Sequence, residues 1–229
     1  MTHIMVPDGV LPPWLWITGW VLAVIGIAVA LRAIRNTDVT RMLPLAATMA
    51  AVMTIIMSFS FVLGYEPHLT VLSGIILGPA YGFLATFVFN ILRMLLGDGA
   101  PTLLGLNTVI LGSETILGYL IFRALTRHWP APRLTGVNAG VATFVALAIA
   151  TLFFLAIVFI SGVDLEPFAG EKDIINSAID ENPGFGTFAE LVIALGAVGW
   201  LLEAIVTGVT AQFVRTVRPS MVQAASEAR

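Results

Sequence analysis

This chain of 229 residues contains no cysteine and little charge. Without cysteine it can form neither a disulfide nor a thiolate metal site, so any bound metal must be held by nitrogen or oxygen. Only 11% of its residues are charged, whereas about a quarter are charged in an ordinary soluble domain. Together with the 58% of residues that are hydrophobic, this composition indicates an integral membrane protein.

Other absences narrow the possible functions. The sequence has no GxxxxGK[ST] phosphate loop, so energy from ATP would have to come from other chains. It also lacks the HExxH motif of metalloproteases. A net charge of -3, spread over several segments, offers no basic patch for nucleic acid. No lysine or arginine precedes the first apolar run, unlike in a cleavable signal peptide, so we expect the mature chain to begin at or next to Met1.

Long apolar runs make up most of the chain. A membrane-spanning helix needs about 20 apolar residues, whereas a membrane barrel shows shorter, alternating segments. The pattern therefore predicts an all-α polytopic membrane protein built as a bundle of transmembrane helices. The runs are Trp14–Leu31, Met42–Gly64, Thr70–Leu92, Thr102–Phe122, Val137–Val163 and Phe188–Val214.

The distribution of charge predicts the orientation of the bundle, because basic residues mark the cytoplasmic segments of a membrane protein. The basic clusters are Arg32, Arg35 and Arg41, then Arg123, Arg127 and Arg133, and finally Arg215 and Arg218. Segments 1–13, 65–69 and 164–187 carry acids, with Lys172 as their only base, and should be external.

The third apolar run contains Gly78-Pro79, and proline removes a helix hydrogen bond and disfavours helical angles at the residue before it. An external Glu66 and a cytoplasmic Arg123 require an odd number of crossings between them, so this break should be a real turn. We therefore predict about seven crossings, with the amino terminus external and the carboxyl terminus cytoplasmic. Helix 3 should cover about Leu69–Leu77, helix 4 Ala80–Leu96, and helix 5 should start near Leu103.

These predictions divide the chain into three parts. An external segment 1–13 precedes a transmembrane domain 14–219, which includes the external acidic loop 164–187, and residues 220–229 form a cytoplasmic tail. The first part, MTHIMVPDGVLPP, places His3 close to the amino terminus. A terminal amine, ionisable amides and an imidazole suit a square-planar divalent metal such as Ni²⁺ or Cu²⁺. Alternatively, His3 is a solvated residue in a frayed terminus.

Two of the three histidines fall on one predicted face of the membrane. His3 and His68 are both external and both adjoin irregular backbone, and Asp98 lies on the same face. Irregular backbone at membrane depth is tolerated only where it lines a cavity or is buried in protein, which favours a site between the two histidines. His128 lies in the basic loop on the other face, where we expect a solvated side chain.

Four blocks of sequence together resemble one family of membrane proteins. The blocks are THIMVPDGVLPPW, then HLTVLSGIILGP from His68 to Pro79, GDGAPTLLGLN from Gly97 to Asn107, and LLEAIVTGVTAQFVRTVRP from Leu201 to Pro219. In this order they resemble the CbiM/NikM family, the substrate-binding membrane subunits of energy-coupling-factor transporters for cobalt and nickel. The resemblance implies a seven-helix, non-catalytic subunit of a prokaryotic plasma membrane. Co²⁺ or Ni²⁺ would be its transported substrate, and no catalytic cofactor is implied.

The resemblance also implies a ligand set. The metal would be held by the terminal amine, by the amide and imidazole of a histidine in second position, and by a second histidine at the place of His68. Removal of Met1 would make the mature chain begin with Thr2 and His3 and restore this arrangement. If Met1 stays, the amine, two amides and the imidazole of Met1, Thr2 and His3 can fill the four positions of a square-planar site alone. His68 would then be an axial ligand or an outer group. The sequence does not distinguish cobalt from nickel.

A subunit of this kind needs partners. The partners that the resemblance implies are a transmembrane coupling subunit and ATPase subunits, with a small accessory membrane subunit as an optional addition. Small residues let helices approach closely, so Ala46, Ala47, Ala50 and Ala51 on helix 2 are predicted to dock the coupling subunit. Ordinary packing inside the chain is the alternative for these alanines.

Four polar residues could support the metal site. Asn107 could orient a metal-bound side chain or join two helices, and Asp98 could support His68 or pair with Arg93. Glu114 and Glu203 lie inside predicted helices, where an ionisable group is costly unless it faces protein or water. We interpret both glutamates as hydrogen-bonding groups that join helices, with a role on the metal path as the alternative.

Two other classes of function remain open from the sequence. An ion-coupled secondary transporter would use Glu114 and Glu203 as proton carriers and the broken helix 3 as its discontinuous helix. No internal repeat supports that class. An intramembrane metalloenzyme is disfavoured because His128 lies on the opposite face, so three histidines cannot meet as they often do at catalytic zinc.

Overall fold

The computed structural model describes residues 12–37, 39–58, 66–97, 99–162 and 184–222. Within these ranges the chain forms six α-helices and two short 3₁₀ turns, and it contains no strand. The helices are α1 (Pro13–Ile34), α2 (Val39–Met57), α3 (Thr70–Leu95), α4 (Leu104–His128), α5 (Thr135–Ser161) and α6 (Phe185–Val217). The all-α prediction is therefore confirmed.

Five of these helices, with α3 taken over its full length, are long and apolar enough to cross a bilayer, and the apolar part of α2, Met42–Met57, is shorter. Large apolar side chains cover the outside of the bundle. On α1, for example, Val24 and Val29 are more than half exposed. Such a surface is stable in lipid, which is as apolar as these side chains, and the protein is therefore a multi-pass membrane protein.

Helix α3 is interrupted at the predicted position. Gly78 has φ 79° and ψ 170°, a conformation that glycine adopts without steric cost. An ideal Cβ atom on Gly82 would lie 3.1 Å from the Cα atom of Gly74, whereas a continuous helix would separate these residues by about 12 Å. The chain therefore turns back at Gly78-Pro79. We name the two parts α3a (residues 70–77) and α3b (residues 79–95).

The first of these parts is too short to cross the membrane. Eight helical residues extend about 12 Å, less than half of the hydrocarbon thickness of about 30 Å. The hydroxyl oxygens of Thr37 and Tyr81 lie 2.8 Å apart, so the turn lies at the end of the bundle where α1 and α2 connect. The start of α3a, together with residues 66–69 before it, therefore lies inside the bundle. We name residues 66–69 the strap.

The strap is buried within the bundle. Pro67, His68 and Leu69 are all buried, and the external side predicted for residues 65–69 stays a prediction. The strap fills the part of the bundle that the short α3a leaves open. His68 is consequently an interior residue, with 5% of its surface exposed.

Close backbone contacts fix the helices that surround the strap. An ideal Cβ atom on Gly74 would collide with the carbonyl oxygen of Thr115, which holds α3a directly against α4. Between α5 and α6, ideal Cβ atoms on Gly136 and Gly208 would lie 2.8 and 2.7 Å from the carbonyl oxygen of the opposite glycine. Small residues permit this approach, which is a common way of joining helices in a membrane.

The alanines of α2 do not share one environment. Ala46 and Ala50 are buried in the core of the chain, with 8% and 0% of their surface exposed. Ala47 and Ala51 are exposed. Adjacent helical residues point about 100° apart, so the four alanines cannot all lie on one outward face. The predicted docking face is therefore reduced to Ala47 and Ala51.

The seven-crossing topology stays a prediction, and the lack of native cysteine makes it simple to test by labelling. With an impermeant thiol reagent on intact cells, we expect Lys172→Cys in the acidic loop to be modified and Ala131→Cys beside Arg133 to be protected. Both should react after the membrane is permeabilised, which controls for buried thiols. Modification of Ala131→Cys in intact cells would contradict the predicted orientation.

Candidate metal site

The site is built on the strap, whose backbone cannot be helical. Pro67 lacks an amide hydrogen and moves Glu66 away from helical angles. Leu69 has φ 55° and ψ 26°, a left-handed conformation that costs a non-glycine residue on the order of 1–3 kcal/mol. Such a conformation persists only where the surroundings enforce it, so the groups that hold Leu69 are part of the site.

Glu203 holds the backbone of the strap. The Leu69 amide donates a hydrogen bond of 2.9 Å to Glu203 Oε1, and the His68 amide donates one of 3.3 Å to Oε2. Glu203 lies within α6 and is fully buried. Its two oxygens therefore accept hydrogen bonds from two buried amides that belong to no helix. Buried backbone amides need such a partner, because leaving them unpaired is costly.

The same carboxylate and two further side chains surround one nitrogen of His68. The Nδ1 atom lies 3.4 Å from Glu203 Oε1, 3.5 Å from Glu114 Oε2 and 3.3 Å from Thr70 Oγ1. The Thr70 hydroxyl donates a hydrogen bond of 2.7 Å to Glu114 Oε2. All four side chains are buried. The cluster thus joins α3a, α4 and α6 at the strap.

Sequence reasoning identified three members of this cluster without bringing them together. His68 was predicted as a ligand, and Glu114 and Glu203 were predicted as groups that join helices. Thr70 was missed, because a threonine at the start of an apolar run has no distinctive signal. The carboxylates themselves were the usable signal, since ionisable residues deep in a bundle need a buried partner.

The other predicted residues lie elsewhere. Asn107 is buried at the start of α4 and lines a small pocket with Asn90 and Arg93. The nearby Asn90 amide nitrogen donates to Thr108 Oγ1 at 3.2 Å. The support of a metal-bound side chain by Asn107 stays a prediction. His128 is exposed in the last turn of α4 and contacts Trp129 edge to face.

Three predicted site residues, Thr2, His3 and Asp98, lie outside the described residues. Within the ranges that the structure does describe, no group of three or more histidine, aspartate and glutamate side chains is arranged to hold a metal ion. Both oxygens of Glu203 accept hydrogen bonds from the strap, and Glu114 accepts one from Thr70. Within this cluster, His68 contributes an imidazole, which is a ligand suited to a transition metal.

One known protein family matches most of the chain. The model of the CbiM family, described as the cobalt uptake substrate-specific transmembrane region, matches residues 3–221. No curated protein matches the chain significantly by sequence.

Two solved structures share its fold. A crystal structure of a transition metal transporter superposes with a TM-score of 0.75 at 19% identity, covering 93% of each chain. A crystal structure of a truncated transition metal transporter gives the same TM-score and identity, covering 93% of this chain and 99% of the other.

Proposed function

Because this chain belongs to the CbiM family, as its four sequence blocks predicted, we propose that it is the substrate-binding subunit of an importer for a divalent transition metal, Co²⁺ or Ni²⁺. The observation that carries this proposal is His68, an interior histidine on a non-helical strap within a membrane bundle. Irregular backbone at membrane depth is tolerated only where it lines a cavity or is buried in protein, which is compatible with an enclosed site. Imidazole is the most common protein ligand for such metals.

The ligand set is the one that the family resemblance implies. With Met1 removed, the amine of Thr2 and the amide and imidazole of His3 would join the imidazole of His68. Four nitrogen ligands suit a square-planar or tetragonal ion, and the general order of divalent affinities places nickel above cobalt. With Met1 retained, the first three residues would fill the plane and His68 would take an axial or outer position.

Metal binding alone does not move an ion across the membrane. Since the sequence has no phosphate loop, ATP hydrolysis would come from partner ATPase subunits, joined through a transmembrane coupling subunit. The exposed Ala47 and Ala51 on α2 form the docking face that we propose for that coupling subunit. The complex would act in the plasma membrane of a prokaryote.

The geometry disfavours the ion-coupled alternative. A proton carrier must change its protonation state, and the change must not break the structure around it. Glu203 accepts one backbone hydrogen bond from the strap at each oxygen, so protonating it would put an O–H donor on one of these oxygens and weaken the hydrogen bond from the amide that faces it. Glu203 therefore acts better as a fixed support of the strap than as a proton carrier.

Metal binding by the purified chain tests the proposal. Replacing His68 with alanine should lower the affinity for Ni²⁺ and Co²⁺ by more than the 10- to 100-fold that the loss of an outer hydrogen-bonding group costs metal sites. His3→Ala should lower it further, because the change also loosens the terminal chelate. The exposed His128 provides the matched control, and His128→Ala should bind as the wild type does.

The measurement is calorimetry combined with intact-mass analysis, which reports Met1 processing and metal stoichiometry together. Since protons compete with the metal for amine and imidazole nitrogens, affinity should also fall as the pH is lowered. Equal affinities for the His68 and His128 variants would contradict a ligand role for His68.

Docking can be tested separately. Changing Ala47 and Ala51 to leucine should reduce co-purification with the coupling subunit several-fold, because the longer side chains prevent close approach on an exposed face. Metal binding by the isolated chain should be unchanged. The control variant changes Val21 and Ile25 to leucine, two exposed residues four apart on α1. Full recovery of the complex with the α2 variant would remove this face from the proposal.

A further inference from the structure

We infer that Glu203, supported by Glu114 and Thr70, is a positioning residue that makes Nε2 the metal-binding nitrogen of His68. The inference rests on the proposed function and adds to it a specific atom and the residues that select it. It depends on two independent features of the cluster. One is the set of groups around Nδ1, and the other is the pair of hydrogen bonds to the strap backbone.

The first feature follows from counting hydrogens. Thr70 has one hydroxyl hydrogen and donates it to Glu114 Oε2. Its oxygen, 3.3 Å from His68 Nδ1, can therefore only accept from the ring. With both carboxylates ionised, Glu203 Oε1 and Glu114 Oε2 are acceptors as well. Three acceptor oxygens thus face a single ring nitrogen.

Such surroundings decide which nitrogen carries the proton. A bare lone pair at Nδ1 would face three other lone pairs, two of them on negatively charged groups, whereas an Nδ1–H bond is attracted to all three. The three distances from Nδ1 to these oxygens are long for hydrogen bonds. The preference for a proton on Nδ1 therefore arises because all three oxygens carry negative charge or negative partial charge. A neutral His68 therefore holds its proton at Nδ1 and has its lone pair at Nε2.

The second feature fixes where that lone pair points. The direction of the imidazole depends on the backbone of His68 and Leu69, and Glu203 accepts a hydrogen bond from each amide. The left-handed Leu69 makes this backbone unfavourable without such support. One carboxylate thereby sets both the tautomer and the direction of the ring. In metalloproteins, a carboxylate that binds the far nitrogen of a ligating histidine has the same two effects.

The tautomer can be read directly by NMR. The full chain, with ¹⁵N-labelled histidine, is purified in detergent, and long-range ¹H–¹⁵N correlations distinguish the Nδ1–H form from the Nε2–H form. A His68→Asn sample assigns the signal among the three histidines. We expect a proton on Nδ1 of His68 in the metal-free wild type, both in the neutral ring and in the imidazolium, because three oxygens face this nitrogen in either state. Detection of the Nε2–H form would overturn the inference whatever the metal affinity.

A variant pair then tests the role of Glu203. Glutamine at this position keeps its oxygen at the Leu69 amide, which donates the shorter hydrogen bond to Oε1, so its NH2 group replaces Oε2 and opposes the His68 amide. Glu203→Gln should therefore release that amide and remove the negative charge beside Nδ1, and the share of the Nδ1–H form should fall. It should also lower the affinity for Ni²⁺ and Co²⁺ by about 10- to 100-fold. Glu190→Gln makes the same change at an exposed position of α6 and should alter neither measurement. An unchanged tautomer and affinity in folded Glu203→Gln would overturn the inference.

A second variant covers a folding failure, and the combined results distinguish failure of this inference from failure of the proposed function. If Glu203→Gln does not fold, Thr70→Val removes the hydroxyl between Glu114 and Nδ1, and it should weaken metal binding in the same direction. If the wild type binds neither metal, the proposed function fails. If it binds metal and His68 is in the Nε2–H form, the proposed function stands and only the inference about Glu203 fails.

Discussion

The pair of hydrogen bonds from the His68 and Leu69 amides to Glu203 is the interaction on which this architecture depends. An unsatisfied amide inside a membrane bundle has no water to replace its partner. A carboxylate at such a depth costs about 3 kcal/mol on insertion scales, whereas each hydrogen bond to a charged group contributes about 1.5–3 kcal/mol. The two hydrogen bonds therefore roughly offset the free-energy cost of burying Glu203. In return, the carboxylate satisfies two amides that would otherwise be buried without a partner.

Other features of the fold serve to bring these groups together. The turn at Gly78 ends α3a after eight residues, so the strap before it lies within the bundle. Contact between Gly74 and Thr115 sets α3a against α4 and aligns Thr70 with Glu114. The glycine contact between α5 and α6 fixes the helix that carries Glu203. A histidine that would be solvated in a loop becomes a buried side chain of fixed orientation in this setting.

Sequence reasoning predicted features that local chemistry determines. The turn at Gly78-Pro79 was predicted from the geometry of proline and from the odd number of crossings that an external Glu66 and a cytoplasmic Arg123 require. The family was predicted from four blocks of residues. Sequence reasoning did not predict that Pro67, His68 and Leu69 are buried, because Glu66 looked like the acid of an exposed loop. It could not separate Ala46 and Ala50 from Ala47 and Ala51, because lipid and protein are both apolar surroundings. The meeting of Glu114 and Glu203 at His68 depends on helices that are distant in sequence, for which no local pattern exists.

Hydrogen–deuterium exchange of the strap is the most direct test of the central claim, which is that Glu203 holds a non-helical backbone around His68. It needs no metal and no partner, and mass spectrometry of a peptide that covers residues 66–70 reports the relevant amides. The His68 and Leu69 amides of the wild-type protein should exchange as slowly as those of α3a, and Glu203→Ala should release them. Exchange of these two amides in the wild type at the rate of an unprotected peptide would contradict the account.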